Sequence, residues 1–145
     1  MNAIGTVTEI WRYPVKSMRG EALPDAELGG EGLQGDRGWA VVDAATGRVL
    51  SAKTEGRLLE ASSRLDGSEV EILLPGGRVV RPDDVDVHRA LGAWLGRDVR
   101  LESAPRSATA TFAMPVDAED EDSPLTEVSC RPGSFFDSAT LHLLA

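Results

Sequence analysis

Short apolar runs broken by tight-turn residues fill the first hundred positions, and they predict strands rather than helices. Ile4, Val7, Ile10 and Tyr13 lie in a run rich in Thr and Val that ends at Pro14. The compact run Trp39-Ala40-Val41-Val42 meets Asp43-Ala44-Ala45-Thr46-Gly47 and then Arg48-Val49-Leu50-Ser51, which predicts a hairpin. A second hairpin is expected where Val70-Glu71-Ile72-Leu73-Leu74 enters Pro75-Gly76-Gly77 and Arg78-Val79-Val80 returns. Between them, Leu58 to Leu65 is compatible with helix or strand; strand is favoured, closed by Asp66-Gly67.

One helix is signalled. Val87, Leu91, Trp94 and Leu95 share a face, Asp84 or Asp86 can cap the start, and Gly96 is a natural stop. Asp98-Val99-Arg100-Leu101 reads as a further strand. From 104 to 134 the periodicity fades and Pro, Ser, Thr and acids accumulate, so this stretch is expected to be an irregular loop or linker. Phe135 opens a last apolar segment through Leu144. Many short strands with one or two helices point to a mainly β fold, a small β-barrel or curled sheet.

Size and charge narrow the picture. A chain of 145 residues suits one domain; at this size folding buries roughly 68–70% of the unfolded surface, so no disulfide or metal is needed to hold it. The net charge of −9 argues against a nucleic-acid partner. Much of that charge sits in one cluster, Asp117 with Glu119 to Asp122, expected to be a solvated loop. A local cationic site elsewhere is therefore compatible with the acidic total. No apolar run is long enough to span a membrane. A single cysteine and an amino terminus without a signal-peptide pattern lead to an expectation of a cytoplasmic protein.

The candidate chemistry lies in two turns. Lys16 and Ser17 directly follow Pro14-Val15, and Arg37 sits between Asp36 and Gly38 at the mouth of the next apolar run. An ammonium, a guanidinium and a hydroxyl beside turn N–H groups are what a small anionic, phosphate-bearing ligand requires, and the three are expected to converge on one concave surface. Asp36 can cap its own turn or orient a neighbouring cation. Lys53 and Arg57 could border the same pocket, with solvated surface charge as the default. His88 and His142 have no companion that would make a metal site. Trp11 and Trp39 are expected to pack the sheet. Cys130 reads as a loop thiol rather than a ligand.

Taken in order, Tyr13-Pro14-Val15-Lys16-Ser17, Gly35-Asp36-Arg37, Ser51-Ala52-Lys53 with Arg57-Leu58, and Phe136-Asp137-Ser138-Ala139 resemble the MOSC proteins, the family of the molybdenum cofactor sulfurase C-terminal domain. The resemblance implies a MOSC N-terminal β-barrel over 1–103, a linker over 104–134, and the opening of the MOSC domain itself over 135–145. It implies cofactor contacts from Lys16, Ser17, Arg37 and Ser138, with the molybdenum cofactor (molybdopterin) as the ligand. It also implies an oxidoreductase acting on small N-hydroxylated or similar substrates. The cysteine that holds the metal in that family lies beyond the stretch matched here, so this chain is expected to be a binding half, completed by a homodimer mate or a second MOSC chain. The apolar segment Leu141 to Leu144 is expected to pair with another chain or to fold back. The alternative is a repurposed barrel that binds a small carboxylate or phosphate ligand, as a binding protein or a cofactor-independent enzyme.

Overall fold

The computed structural model describes residues 5–30, 32–105, 110–117, 120, 122–130, 133 and 135. These residues form mainly strand, with one α-helix. The hairpin of β1 (Ile10–Arg12) and β2 (Glu21–Leu23) comes first, followed by the two-residue pair β3 (Leu28–Gly29) and β4 (Gly32–Leu33). The central strand β5 (Trp39–Asp43) pairs antiparallel with β9 (Val99–Ser103). A three-stranded sheet follows, β6 (Ser62–Asp66), β7 (Glu69–Leu73) and β8 (Val79–Val80), and α1 (Val87–Leu95) packs against β9. Among the described residues the ladders are separate pieces joined by single bridges, not one closed ring.

Strand β5 explains the architecture. Ala40, Val41 and Val42 are all buried, so both faces of this run are covered. Val41 joins the larger core with Leu58, Ile72, Val87, Leu91, Leu95 and Val99. Ala40 and Val42 point the other way, into a smaller cluster with Val49, Phe112, Cys130 and Phe135. The arm after β5 makes one bridge, Val42 to Val49, instead of a full strand, while β9 pairs with the opposite edge of β5. Its turn is nonetheless well built. The Asp43 carboxylate accepts from the N–H of Ala45 and Thr46 and from the Thr46 hydroxyl, and Gly47 N–H donates to the Asp43 carbonyl.

The predicted helix runs from Val87 to Leu95 and stops at Gly96, whose φ of 68° is the left-handed conformation that glycine adopts without strain. Neither aspartate caps it through its side chain. Asp86 pairs instead with Arg78 and Arg89, and Asp84 accepts from Arg81 N–H. The ambiguous segment divides: Gly56–Glu60 is a 3-10 turn and the strand begins only at Ser62.

The largest correction lies in 104–134. Instead of an irregular linker, it holds the antiparallel pair β10 (Thr111–Pro115) and β11 (Leu125–Ser129). Each strand is only five residues long and β11 is mostly exposed, so neither shows a sustained alternation. Burial of Phe112 and the bridge from Val49 to Phe112 make β10 a strand, and both are long-range contacts. The described acids of the neighbouring loop, Asp117, Asp120 and Asp122, are exposed as expected. Trp11 departs from expectation: it is 46% exposed and bonded to Glu9, whereas Trp39 is packed against the larger core. The segment 136–145, including Ser138, His142 and the strand expected over 141–144, lies outside the described residues.

Candidate functional site

The two turns singled out by their cations are stitched together by backbone. Trp39 N–H donates to the Pro14 carbonyl at 3.1 Å, Lys16 N–H to the Trp39 carbonyl at 2.9 Å, and Arg37 N–H to the Tyr13 carbonyl at 2.7 Å. Farther along, Arg19 N–H donates to Ala61 and Ser63 N–H to Arg19, so residues 14–19 bridge β5 and β6. The N–H groups of Lys16, Arg37 and Trp39 are thus consumed in building the site. Glycine is needed at Gly35 because its φ is +77°, and an added Cβ would also press on the Leu65 side chain.

Backbone strain is concentrated on the motif. Among the described residues, the non-glycine positions in the left-handed region are Ser17 (φ 66°) and Arg37 (φ 49°). An L-residue with a Cβ pays roughly 1–2 kcal/mol there. Strain of this kind persists only where surrounding contacts hold it, and it tends to gather at functional turns.

The side chains are arranged in layers. Lys16 is only 4% exposed, and its Nζ donates to the Phe135 carbonyl at 3.0 Å while lying 4.5 Å from the centre of the Phe112 ring. A buried ammonium is tolerable only with acceptors and a π face of this kind. Arg37 pairs through Nη1 with Asp36 Oδ2 at 2.6 Å and stacks on Tyr13 at 5.3 Å. The other oxygen of Asp36 accepts from Tyr13 N–H at 2.6 Å, so Asp36 both orients the cation and pins the first turn. Burial raises the Asp36 pKa above its usual value, against the opposing pull of the Tyr13 N–H and Arg37. Phe135 ties the two turns together, its carbonyl accepting from the Lys16 ammonium and its N–H donating to the Arg37 backbone carbonyl at 3.0 Å.

Ser17 looks in another direction. Its Oγ accepts from Ala52 N–H at 2.9 Å, which holds the turn 51–54 over the first motif and leaves the hydroxyl a proton to donate. In that turn Lys53 Nζ lies 6.0 Å from the same Phe112 ring, and the buried Ser51 hydroxyl has no hydrogen-bond partner among the described residues. The Lys16 head thus turns inward to Phe135 and Phe112, while the Arg37 guanidinium lies on Asp36 and Tyr13. Two cavities of about 330 and 360 Å³ lie elsewhere, one beside Glu21, Ser63 and Glu71 and one beside Arg12, Pro24 and Leu33.

Other candidates leave the site. Arg57 donates to the Leu95 and Trp94 carbonyls and so closes the carboxyl end of α1. His88 Nδ1 accepts from Leu101 N–H at 3.1 Å, bracing the helix on β9. Cys130 lies just past the end of β11, as a loop residue, but it is buried in the smaller cluster with its N–H donating to the Ala110 carbonyl. The sequence reading missed Phe112, Phe135 and Tyr13 as the groups around the cations. Only the weak alternation at Phe112 and Met114 could have hinted at the first.

Residues 4–90 match the MOSC N-terminal beta barrel domain. The chain belongs to this family. The human mitochondrial amidoxime-reducing component 1 is 34% identical over 76 residues, which is 50% of this chain and 22% of that protein. The rat mitochondrial amidoxime reducing component 2 is 31% identical over 80 residues, covering 52% of this chain and 23% of the relative. The match thus spans less than a quarter of the length of these curated relatives. Within the MOSC N-terminal domain, Lys16, Ser17, Asp36, Arg37 and Lys53 all fall inside the matched region, whereas Phe112 and Phe135 lie outside it. No helix among the described residues is long and apolar enough to cross a membrane.

Proposed function

We propose that this chain is the N-terminal part of a molybdenum-cofactor reductase and that Lys16, Ser17 and Arg37 form an oxyanion site for the pterin phosphate. Ser138, outside the described residues, belongs to the same proposal. The observation that carries the reading is the buried ammonium of Lys16, which donates to the Phe135 carbonyl at 3.0 Å, while the N–H of the same Phe135 donates to the backbone carbonyl of Arg37. The Phe135 oxygen marks where a phosphate oxygen would be received. A hydroxyl with a proton to give and an orphaned buried hydroxyl at Ser51 suit an oxygen-rich anion.

The donor set fits the phosphate end of the cofactor. The metal end is not matched by Cys130, whose sulfur sits among Ala40, Val42, Val49 and the two phenylalanines. When bound, the cofactor supplies the redox chemistry on a small N-hydroxylated or similar substrate. The residues of this chain bind and orient it through charge and hydrogen bonds. Pterin and molybdenum content tests the proposal, measured on the protein purified from molybdenum-replete cells with and without Lys16→Gln. Pterin present in the parent and depleted in the variant is the expected result. A parent protein that is pterin-free and binds neither phosphate nor diphosphate would overturn it, and pterin-free protein that binds phosphate would favour the repurposed barrel.

A further inference from the structure

We propose that Lys53 is a ligand-contacting cation of this site, carried into place by the hydrogen bond between Ala52 N–H and the Ser17 hydroxyl. The inference rests on the anion-site reading above and adds a residue and a ligand preference to it. Lys16 and Lys53 come from turns 37 residues apart in sequence, yet both ammonium nitrogens gather at one phenyl ring, 4.5 and 6.0 Å from its centre. The π system of Phe112 offers each cation a favourable contact, and bringing two like charges to one ring raises the local positive potential.

The two lysines differ in depth. Lys16 is buried and Lys53 is exposed, so Lys16 receives the inner oxygens while Lys53 meets the outer end of the ligand at the solvent boundary. Two ammonium groups reached by one ligand favour a phosphate monoester or diphosphate over a monoanionic carboxylate. The latch is local and specific. Ser17 occupies a strained left-handed position, and its Oγ receives the N–H of the residue immediately before Lys53. Ser17 is in this respect a positioning residue for Lys53.

Inorganic diphosphate is the probe, titrated by calorimetry into the full chain and its variants at fixed ionic strength. Lys53→Gln should weaken diphosphate binding about tenfold, and Lys53→Arg should restore it to within about threefold, since one charge-assisted contact is removed and then replaced. Acetate should bind the parent far more weakly than diphosphate. Because Lys53 is exposed, both variants should keep the parent melting temperature. Ser17→Ala should speed amide exchange at Ala52 by about tenfold, which Lys53→Gln should leave unchanged. Diphosphate binding that is equal in the parent and Lys53→Gln would overturn the role of Lys53 while leaving the anion site standing. Unchanged Ala52 exchange in Ser17→Ala would overturn the latch. A parent that binds no diphosphate would remove the anion site and this inference together.

Discussion

The two sides of strand β5 are built on different rules. On one side, Val41 joins a large apolar core closed by the three-stranded sheet and α1, with Ile72, Leu58 and Leu91 fully covered. On the other, Ala40 and Val42 face a small cluster whose two phenylalanines hold a buried ammonium, over the ring of Phe112 and at the carbonyl of Phe135. The first side is held by burial alone and needs no particular partner for any one residue. The second depends on directional contacts: Lys16 to Phe135, Asp36 to Tyr13 and Arg37, and Ser17 to Ala52. Both clusters contribute burial, but the strained, charged and exchangeable groups of the site lie on the side of the smaller one.

Truncation on each side should separate these roles most sharply. Phe112→Ala should cost about 3–5 kcal/mol, and Leu91→Ala about 2–5 kcal/mol, both measured by denaturant unfolding. Only Phe112→Ala should also abolish diphosphate binding in protein that remains folded, because it removes the ring that both Lys16 and Lys53 contact. Equal loss of binding in the two variants would mean that the smaller cluster has no special part in the site.

A smaller effect tests the strained turn. Ser17→Ala keeps the Cβ in a left-handed backbone and loses the bond from Ala52, whereas Ser17→Gly loses the same bond but relieves the strain. Ser17→Ala should therefore be less stable than Ser17→Gly by about 1 kcal/mol. The reverse order would show that residue 17 is not held in the left-handed region.

The pH response gives the finest comparison, since acids on the two sides shift in opposite directions. The Glu71 carboxyl is held below its usual 4.5, first by its hydrogen bond from Arg64 and then by that from Arg81. The Asp43 carboxyl is held below 3.8, chiefly by the Thr46 N–H. For both, the unfolded chain binds more protons at low pH. Their stabilisation is complete above the unfolded value and lost as pH falls through the folded one. Asp36 has the opposite sign: its raised pKa favours the folded state below 3.8, and that advantage disappears as pH rises through the folded value. Melting curves from pH 7 down to 3 should show a shallower acid loss in Glu71→Gln than in the parent and a steeper one in Asp36→Asn. Superimposable profiles for all three would contradict the assignments.

Much of the larger core was legible along the chain. The helix from Val87 to Leu95 with its Gly96 stop, the hairpin of β7 and β8 and the burial of Val41 all follow from short-range spacing. The cations of the site, Lys16, Ser17 and Arg37, were also legible, because turn chemistry is local. Their surroundings were not. Phe112 is 96 residues from Lys16 and Phe135 is 119, and only a weak alternation at Phe112 and Met114 signals the strand that brings the ring back.

The alternation of apolar and polar residues by itself determined that this protein would be mainly β with a single helix, and the order of its motifs pointed to its family. Only the tertiary structure decided that β10 is a strand, that Cys130 is core, that Arg57 serves α1 instead of the site, and that Ser17 carries the Lys53 turn. The physical reason is range: periodicity and turn propensity act over a few residues, whereas the partner of a buried charge is set by whichever distant segment fills the space beside it.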